Sequence, residues 1–126
     1  MPSSEPGRKR PNSVQTGRTF EQQAAQFYLD QGFTVIAQNW QASHKEIDLI
    51  VRKDDLLVFV EVKASDSDQF GHPIQKMTKA KRRNLSAAAS LYLATYRIQN
   101  CDVRFDVVTF YKGQLEQFPA AFTAEE

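Results

Sequence analysis

The sequence predicts an α/β fold with the element order α-β-β-β-α-β-β. Three observations lead there. An apolar stripe at helical spacing, Phe20, Ala24, Phe27 and Tyr28, follows Thr19. Two runs with the alternation of strands, Glu46–Arg52 and Leu56–Ala64, flank a short acidic turn. A second helical stripe, Leu85, Ala88, Ala89, Tyr92, Leu93 and Tyr96, precedes another β-branched run. Periods of 3.6 and 2 separate the two kinds of element.

The elements follow in order. Residues 1–17 are rich in Pro, Ser, Gly, Arg and Lys with almost nothing to bury, and read as a disordered basic arm, in which Arg8-Lys9-Arg10 is a solvated charge run before it is a phosphate contact. Residues 18–119 read as one domain and 120–126 as a tail. Thr19 with Gln22 makes a capping box that opens the first helix, and Gly32 ends it. Phe33–Ala37 is a short strand, followed by a polar stretch through Lys45. In Glu46–Arg52, Ile47, Leu49 and Val51 share one face, and Glu46, Asp48 and Ile50 the other. Lys53-Asp54-Asp55 has the polarity of a hairpin turn, so this strand and Leu56–Ala64 are expected to pair antiparallel. Ser65 to Pro73 is a loop, Ile74 to Tyr96 the second helix, and Val103–Tyr111 the fourth strand. Lys112-Gly113 turns into a short fifth, Leu115–Phe118.

At 126 residues, 41% hydrophobic and 25% charged, the chain fits one globular domain with one core. The net charge of +1 is uninformative, but its distribution is not. From Gln69 to Cys101 there is no acidic residue, while Lys76, Lys79, Lys81, Arg82, Arg83 and Arg97 lie there. A basic side beside an acidic site suits phosphate binding. The single cysteine, Cys101, excludes an internal disulfide, and no apolar run approaches a membrane span, so the default expectation is a reduced, cytoplasmic protein without a membrane partner.

Chemistry concentrates on the two central strands. Leu56–Ala64 is apolar until Glu61 and Lys63, two residues apart and therefore on one face. Asp48 has the parity to face Glu61 across the hairpin. Two like charges at such a separation repel unless a cation lies between them, and Mg²⁺ accepts one or two carboxylates plus waters. Taken alone, Glu-x-Lys is a common surface ion pair. Its place at the end of a buried strand argues against that reading, since an unpaired buried charge costs several kcal/mol. Asp48, Glu61 and the carbonyl of Val62 are the candidate ligands of Mg²⁺ or Mn²⁺. Lys63 would stabilise hydroxide and the charge that builds on a phosphodiester under attack. Glu21, bordering the first apolar stripe, could orient a metal-bound water, and reads equally as a first-turn glutamate favoured by the helix dipole. Glu46 is a supporting or exposed charge. Lys76, Lys79, Lys81, Arg82 and Arg83 crowd the start of the second helix, where the dipole already disfavours them, and a nucleic-acid backbone would offset that cost. A solvated basic face is the bland alternative. His44 and His72 read as loop histidines, Asp106 as the partner of a nearby base, and Trp40 and Tyr92 to Tyr96 as core or interface.

Asp48, twelve residues, then Glu61-Val62-Lys63 resembles the PD-(D/E)xK nuclease motif. With Gly17, Glu21, Gly32, Asn39, Glu46–Ile50, Phe59–Lys63, Gly71, Lys81 before Leu85, and Arg104–Val108, the chain over about residues 16 to 112 is similar to the bacterial YraN family, itself uncharacterised. The resemblance implies a restriction-endonuclease-like core, a mixed sheet flanked by helices, similar to archaeal Holliday-junction resolvases. It implies Asp48 and Glu61 as metal ligands, Lys63 as catalytic and Glu21 as assisting. It further implies DNA as partner, branched DNA included, and by analogy a homodimer. Two positions depart from the family pattern. His44-Lys45 stands where Arg-Gly usually precedes Glu-Ile-Asp, and Ser65 where an arginine usually follows the motif lysine. The expectation is a Mg²⁺-dependent endonuclease-like protein. The alternatives are a catalytically silent nucleic-acid-binding module and an interaction protein whose charges form a structural salt-bridge network.

Overall fold

The computed structural model describes residues 13–65 and 71–124, with side chains from residue 19 onward. Helix α1 (Ser13–Asp30) leads into β1 (Thr34–Ala42), β2 (Lys45–Lys53) and β3 (Leu56–Ser65). A 3₁₀ turn (Pro73–Lys76) and helix α2 (Lys79–Thr95) follow, then β4 (Asp102–Tyr111) and β5 (Gln114–Phe122). The α/β class and the element order hold as expected. The strands form one sheet in the order β1-β2-β3-β4-β5, antiparallel except for the parallel pair β3–β4, which α2 connects.

Hairpin chemistry sets three of the four pairings. Ser43 and His44 both have positive φ (50° and 64°), the two-residue turn whose twist matches the strands it joins. Lys112 and Gly113 repeat that geometry between β4 and β5 (52° and 80°), and Asp54 takes φ 54° in the expected turn between β2 and β3. Because β3 is covered on both faces, its run from Leu57 to Val60 is apolar throughout. Leu57 and Phe59 face α2 with Leu85, Ala88, Ala89 and Tyr92. Val58 and Val60 face α1 with Ala24, Ala25 and Tyr28.

Several boundaries differ from the sequence reading. Helix α1 takes in Ser13–Gly17, assigned above to the basic arm, and Thr19 therefore lies inside the helix and is not its cap. Arg8-Lys9-Arg10 lies outside the described residues. The polar stretch after Ala37 is the second half of β1, which turned on its polarity because an edge strand needs only one apolar side. The second helix starts at Lys79, where the Thr78 hydroxyl accepts the Lys81 N–H (3.2 Å), so Lys76 belongs to the preceding 3₁₀ turn. Strand β5 runs to Phe122, four residues past its expected end and into the expected tail.

One deviation shapes the site. Ile47 does not share a face with Leu49 and Val51: it packs on the α2 side, they on the α1 side. The alternation breaks at Asp48, where the β2–β3 pairing stops at Leu49–Val60 and where, in the neighbouring strand, Asn39 has φ 52°.

Candidate active site

Where β2 and β3 cease to pair, the Asp48 side chain takes over from the backbone. Its Oδ2 accepts the Val62 N–H at 2.8 Å. A donor that the ladder would otherwise have satisfied is thereby kept paired, and the carboxylate is fixed between two strands. An extended residue presents its N–H and C=O to the same side, so the Val62 carbonyl opens toward the gap that Asp48 occupies. Glu61 and Lys63 project from β3 on the side of Phe59, and their charged ends meet at 3.1 Å, with 22% and 15% of the side chains exposed. Asp48, Glu61 and Lys63 thus lie within electrostatic reach of one another.

Asp48 is poorly compensated. Burial, then the charge of Glu61, push its pKa up to about 7, with smaller contributions from Glu21 and Glu46, and the Val62 hydrogen bond works the other way. Glu21 acts on Asp48 through its charge. Phe20 packs on Phe110, the register partner of Ala64, and so seats the middle of α1 near the end of β3. For Lys63, burial opposes the charge, but a hydrogen bond with Lys81 and the Glu61 carboxylate hold its pKa above that of an ordinary lysine. Lys81 is pushed down, first by that same contact with Lys63.

These groups border a cavity of about 340 Å³. The β1–β2 turn contributes His44, Lys45 and Glu46, β3 contributes Glu61 and Lys63, and α2 contributes Lys81, Asn84 and Leu85. Two carboxylates and a strand carbonyl form a hard oxygen donor set that suits Mg²⁺ or Mn²⁺. Among the described residues, no three of His, Cys, Asp and Glu are already arranged to hold an ion. Waters or a phosphate oxygen would have to complete the coordination, as is usual for Mg²⁺.

The basic residues do not act as one group. Lys76, Lys79 and Arg83 are exposed, whereas Arg82 turns back to give Nη1 to the Met77 carbonyl (3.0 Å). His44 is a loop histidine as read, and it borders the cavity. His72 caps the 3₁₀ turn, its Nδ1 accepting the Ile74 N–H, and its Nε2 lies 3.3 Å from Glu116. Sequence reasoning did not single out Asn84, and named Lys45 only as a departure from the family pattern. Their signal was topological, because Asn84 follows Lys81 by three residues on one helix face and Lys45 adjoins the turn.

Away from the cavity, Asp106 is fully buried and paired with Arg104 through Nε (2.8 Å) and Nη2 (2.9 Å), as the sequence suggested. It also accepts from the Tyr28 hydroxyl (2.6 Å), Gln117 Nε2 (3.2 Å) and the Ala120 N–H (3.0 Å). Tyr92 is buried, edge-on to Trp40 and Phe59, while Tyr96 is exposed and accepts from Trp40 Nε1 (3.2 Å). Among the described residues, no helix is long and apolar enough to cross a membrane.

Comparison with known proteins places these features in a wider set. The profile of the uncharacterised protein family UPF0102 matches residues 20–110. The chain is 40% identical over 96 residues to a UPF0102 protein of Hahella chejuensis, covering 76% of this chain and 77% of the relative. A UPF0102 protein of Chlorobium chlorochromatii is 42% identical over 99 residues (78% and 76% covered). One from Saccharophagus degradans is 37% identical over 113 residues, covering 89% of this chain and 96% of the relative.

Proposed function

The chain belongs to the uncharacterised protein family UPF0102, and from that premise we propose that it is a metal-dependent nuclease of the PD-(D/E)xK type, with a restriction-endonuclease-like core, acting on DNA phosphodiesters. The observation that carries this reading is the placement of Asp48. A carboxylate at the end of the β2–β3 ladder is anchored by the Val62 N–H and feels the charge of Glu61, which with its partner Lys63 lines a lysine-bordered cavity. A purely structural ion-pair network would satisfy Asp48, and here burial and then a second acid raise its pKa instead. An acid perturbed by burial and a neighbouring charge is a mark of functional sites.

Asp48, Glu61 and the Val62 carbonyl would hold the cation. When bound, Mg²⁺ supplies Lewis acidity and lowers the pKa of a coordinated water. Lys63 supports charge developing on the phosphate, held in place by Glu61 at 3.1 Å. Glu21, from α1, adds negative charge near Asp48 and would orient water from the second layer. The exposed Lys76, Lys79 and Arg83 would contact flanking phosphates, a contribution that weakens with salt.

The test joins a binding readout to a cleavage readout. Mn²⁺ at about 100 times its Kd stabilises the folded chain by about 2.7 kcal/mol, and Asp48→Asn loses that thermal shift. In a screen over duplex, single-stranded and four-way DNA with Mg²⁺ or Mn²⁺, Lys63→Met loses cleavage by roughly 100-fold or more with DNA binding retained. Full cleavage by the Lys63 variant overturns the assignment. A second reading, a silent nucleic-acid-binding module, draws on the lack of a third ready-made ligand among the described residues. It predicts salt-sensitive DNA binding with neither metal shift nor cleavage.

A further inference from the structure

Lys81 stands apart from the basic residues around it. It lines the same cavity as Lys63 and Glu61, whereas Lys76, Lys79, Arg82 and Arg83 do not. Asn84 and Leu85, three and four residues further on, share its helix face and border the cavity too. Strand β3 and helix α2 thus bring two lysine amines and one neutral amide to a common space. We propose that Lys63 and Lys81, helped by the Asn84 amide, form a clamp for one phosphate group. Lys81 is then a catalytic residue of the phosphodiester chemistry and not part of a diffuse basic face.

The argument is one of compensation. Two amines in contact repel when both are charged. Glu61 answers Lys63 directly at 3.1 Å, and no comparable ion pair engages Lys81 among the described residues. Lys45, from the β1–β2 turn, adds a further positive charge to the cavity rim. A phosphate monoanion or dianion held in this cavity offsets the positive charge that the two lysines bring to it. Asn84 adds a donor without adding charge, which fits a tetrahedral oxyanion that must be oriented as well as neutralised. This deepens the nuclease reading and rests on it only for the assignment of the phosphate to a nucleic acid.

The decisive probe is inorganic phosphate without metal, titrated into the full chain carrying ¹⁵N-labelled lysine ammonium groups. The Lys63 and Lys81 signals shift together and saturate, and that of Lys79 does not. Lys81→Met weakens phosphate binding roughly tenfold or more, Lys81→Arg restores most of it, and Lys79→Met changes it less than twofold. Lys81 is exposed, so its replacement leaves the fold intact. Uniform shifts over all lysines, or unchanged affinity in Lys81→Met, overturn the clamp. If the wild-type chain cuts no nucleic acid yet passes this test, the nuclease reading falls and the clamp stands. Where cleavage is found, Lys81→Met lowers kcat, while Lys79→Met raises KM.

Discussion

Two aspartates in the interior of this sheet are treated in opposite ways. Asp106 is fully buried and accepts from five donor groups, two of them on one guanidinium. Asp48, half-buried at the end of the β2–β3 ladder, has one backbone donor and three acids acting on it. The same side chain is a structural clasp in one place and an unneutralised charge in the other. Folding could have compensated both, and the sequence does so for Asp106 with Arg104 two residues away. Around Asp48 it places Glu46, Glu61 and Glu21. The proposed cation is the group that would answer that contrast.

The comparison breaks most readily at Asp106. Asp106→Ala strands the Arg104 guanidinium, the Tyr28 hydroxyl and the Ala120 N–H together. Removing one partner of a buried pair costs about 3 kcal/mol or more, which here lowers the melting temperature by roughly 10 °C. Asp48→Asn goes the other way, because an amide still accepts from Val62 and adds no charge. A thermal melt in which the two variants lose equal stability would erase the distinction drawn between them.

The titration of Asp48 sharpens the contrast. Its folded-state pKa, about 7, lies above the ordinary 3.8. The folded state therefore binds this proton more tightly than the unfolded chain does. The resulting stabilisation is complete below about pH 4 and is lost as pH rises through 7. Between pH 5 and 7 the metal-free protein should lose about 1 kcal/mol per pH unit relative to Asp48→Asn, from one proton linked to unfolding. Denaturant melts of both forms over that range check it. Parallel pH profiles would show that Asp48 ionises as freely as an exposed acid. Saturating Mn²⁺ removes the slope, since the ion takes the place of the proton.

How much of this was legible in the sequence follows from which interactions are local. The β3 strand, its turn and the Glu61–Lys63 pair could be read because period, turn residues and i,i+2 parity are properties of short segments. Asp106 could be given a base because Arg104 lies on its own strand. Face parity brought Asp48 toward Glu61 through a regular strand that does not exist: the alternation fails at Asp48, Ile47 goes to the other side, and the paired register stops at Leu49–Val60. A ladder that ends in a side chain leaves no trace in periodicity. Likewise, five basic residues in eight positions read as one face, and the division between Lys81 and the rest depends on how α2 lies across β3. The second half of β1 was missed because it is an exposed edge with mostly polar side chains.

Tyr28 ties the two aspartates to one helix. Its hydroxyl gives Asp106 a 2.6 Å hydrogen bond, and burial followed by the charge of Asp106 pushes its own pKa far above the usual range, so it acts as a donor throughout the accessible pH range. Seven residues earlier, two turns along the same helix face, is Glu21, whose charge reaches Asp48. Tyr28→Phe removes one donor of five from Asp106 and keeps the ring packed against Phe33. The expected cost is about 1 kcal/mol, below that of Asp106→Ala, because the remaining donors keep the carboxylate paired. Since the apolar contacts of Ala24, Ala25 and Phe20 still seat α1, Glu21 should stay in place and the Asp48 titration midpoint should not move. A midpoint that falls together with stability would mean that the Asp106 clasp, and not apolar packing, positions the acid that α1 contributes to the site.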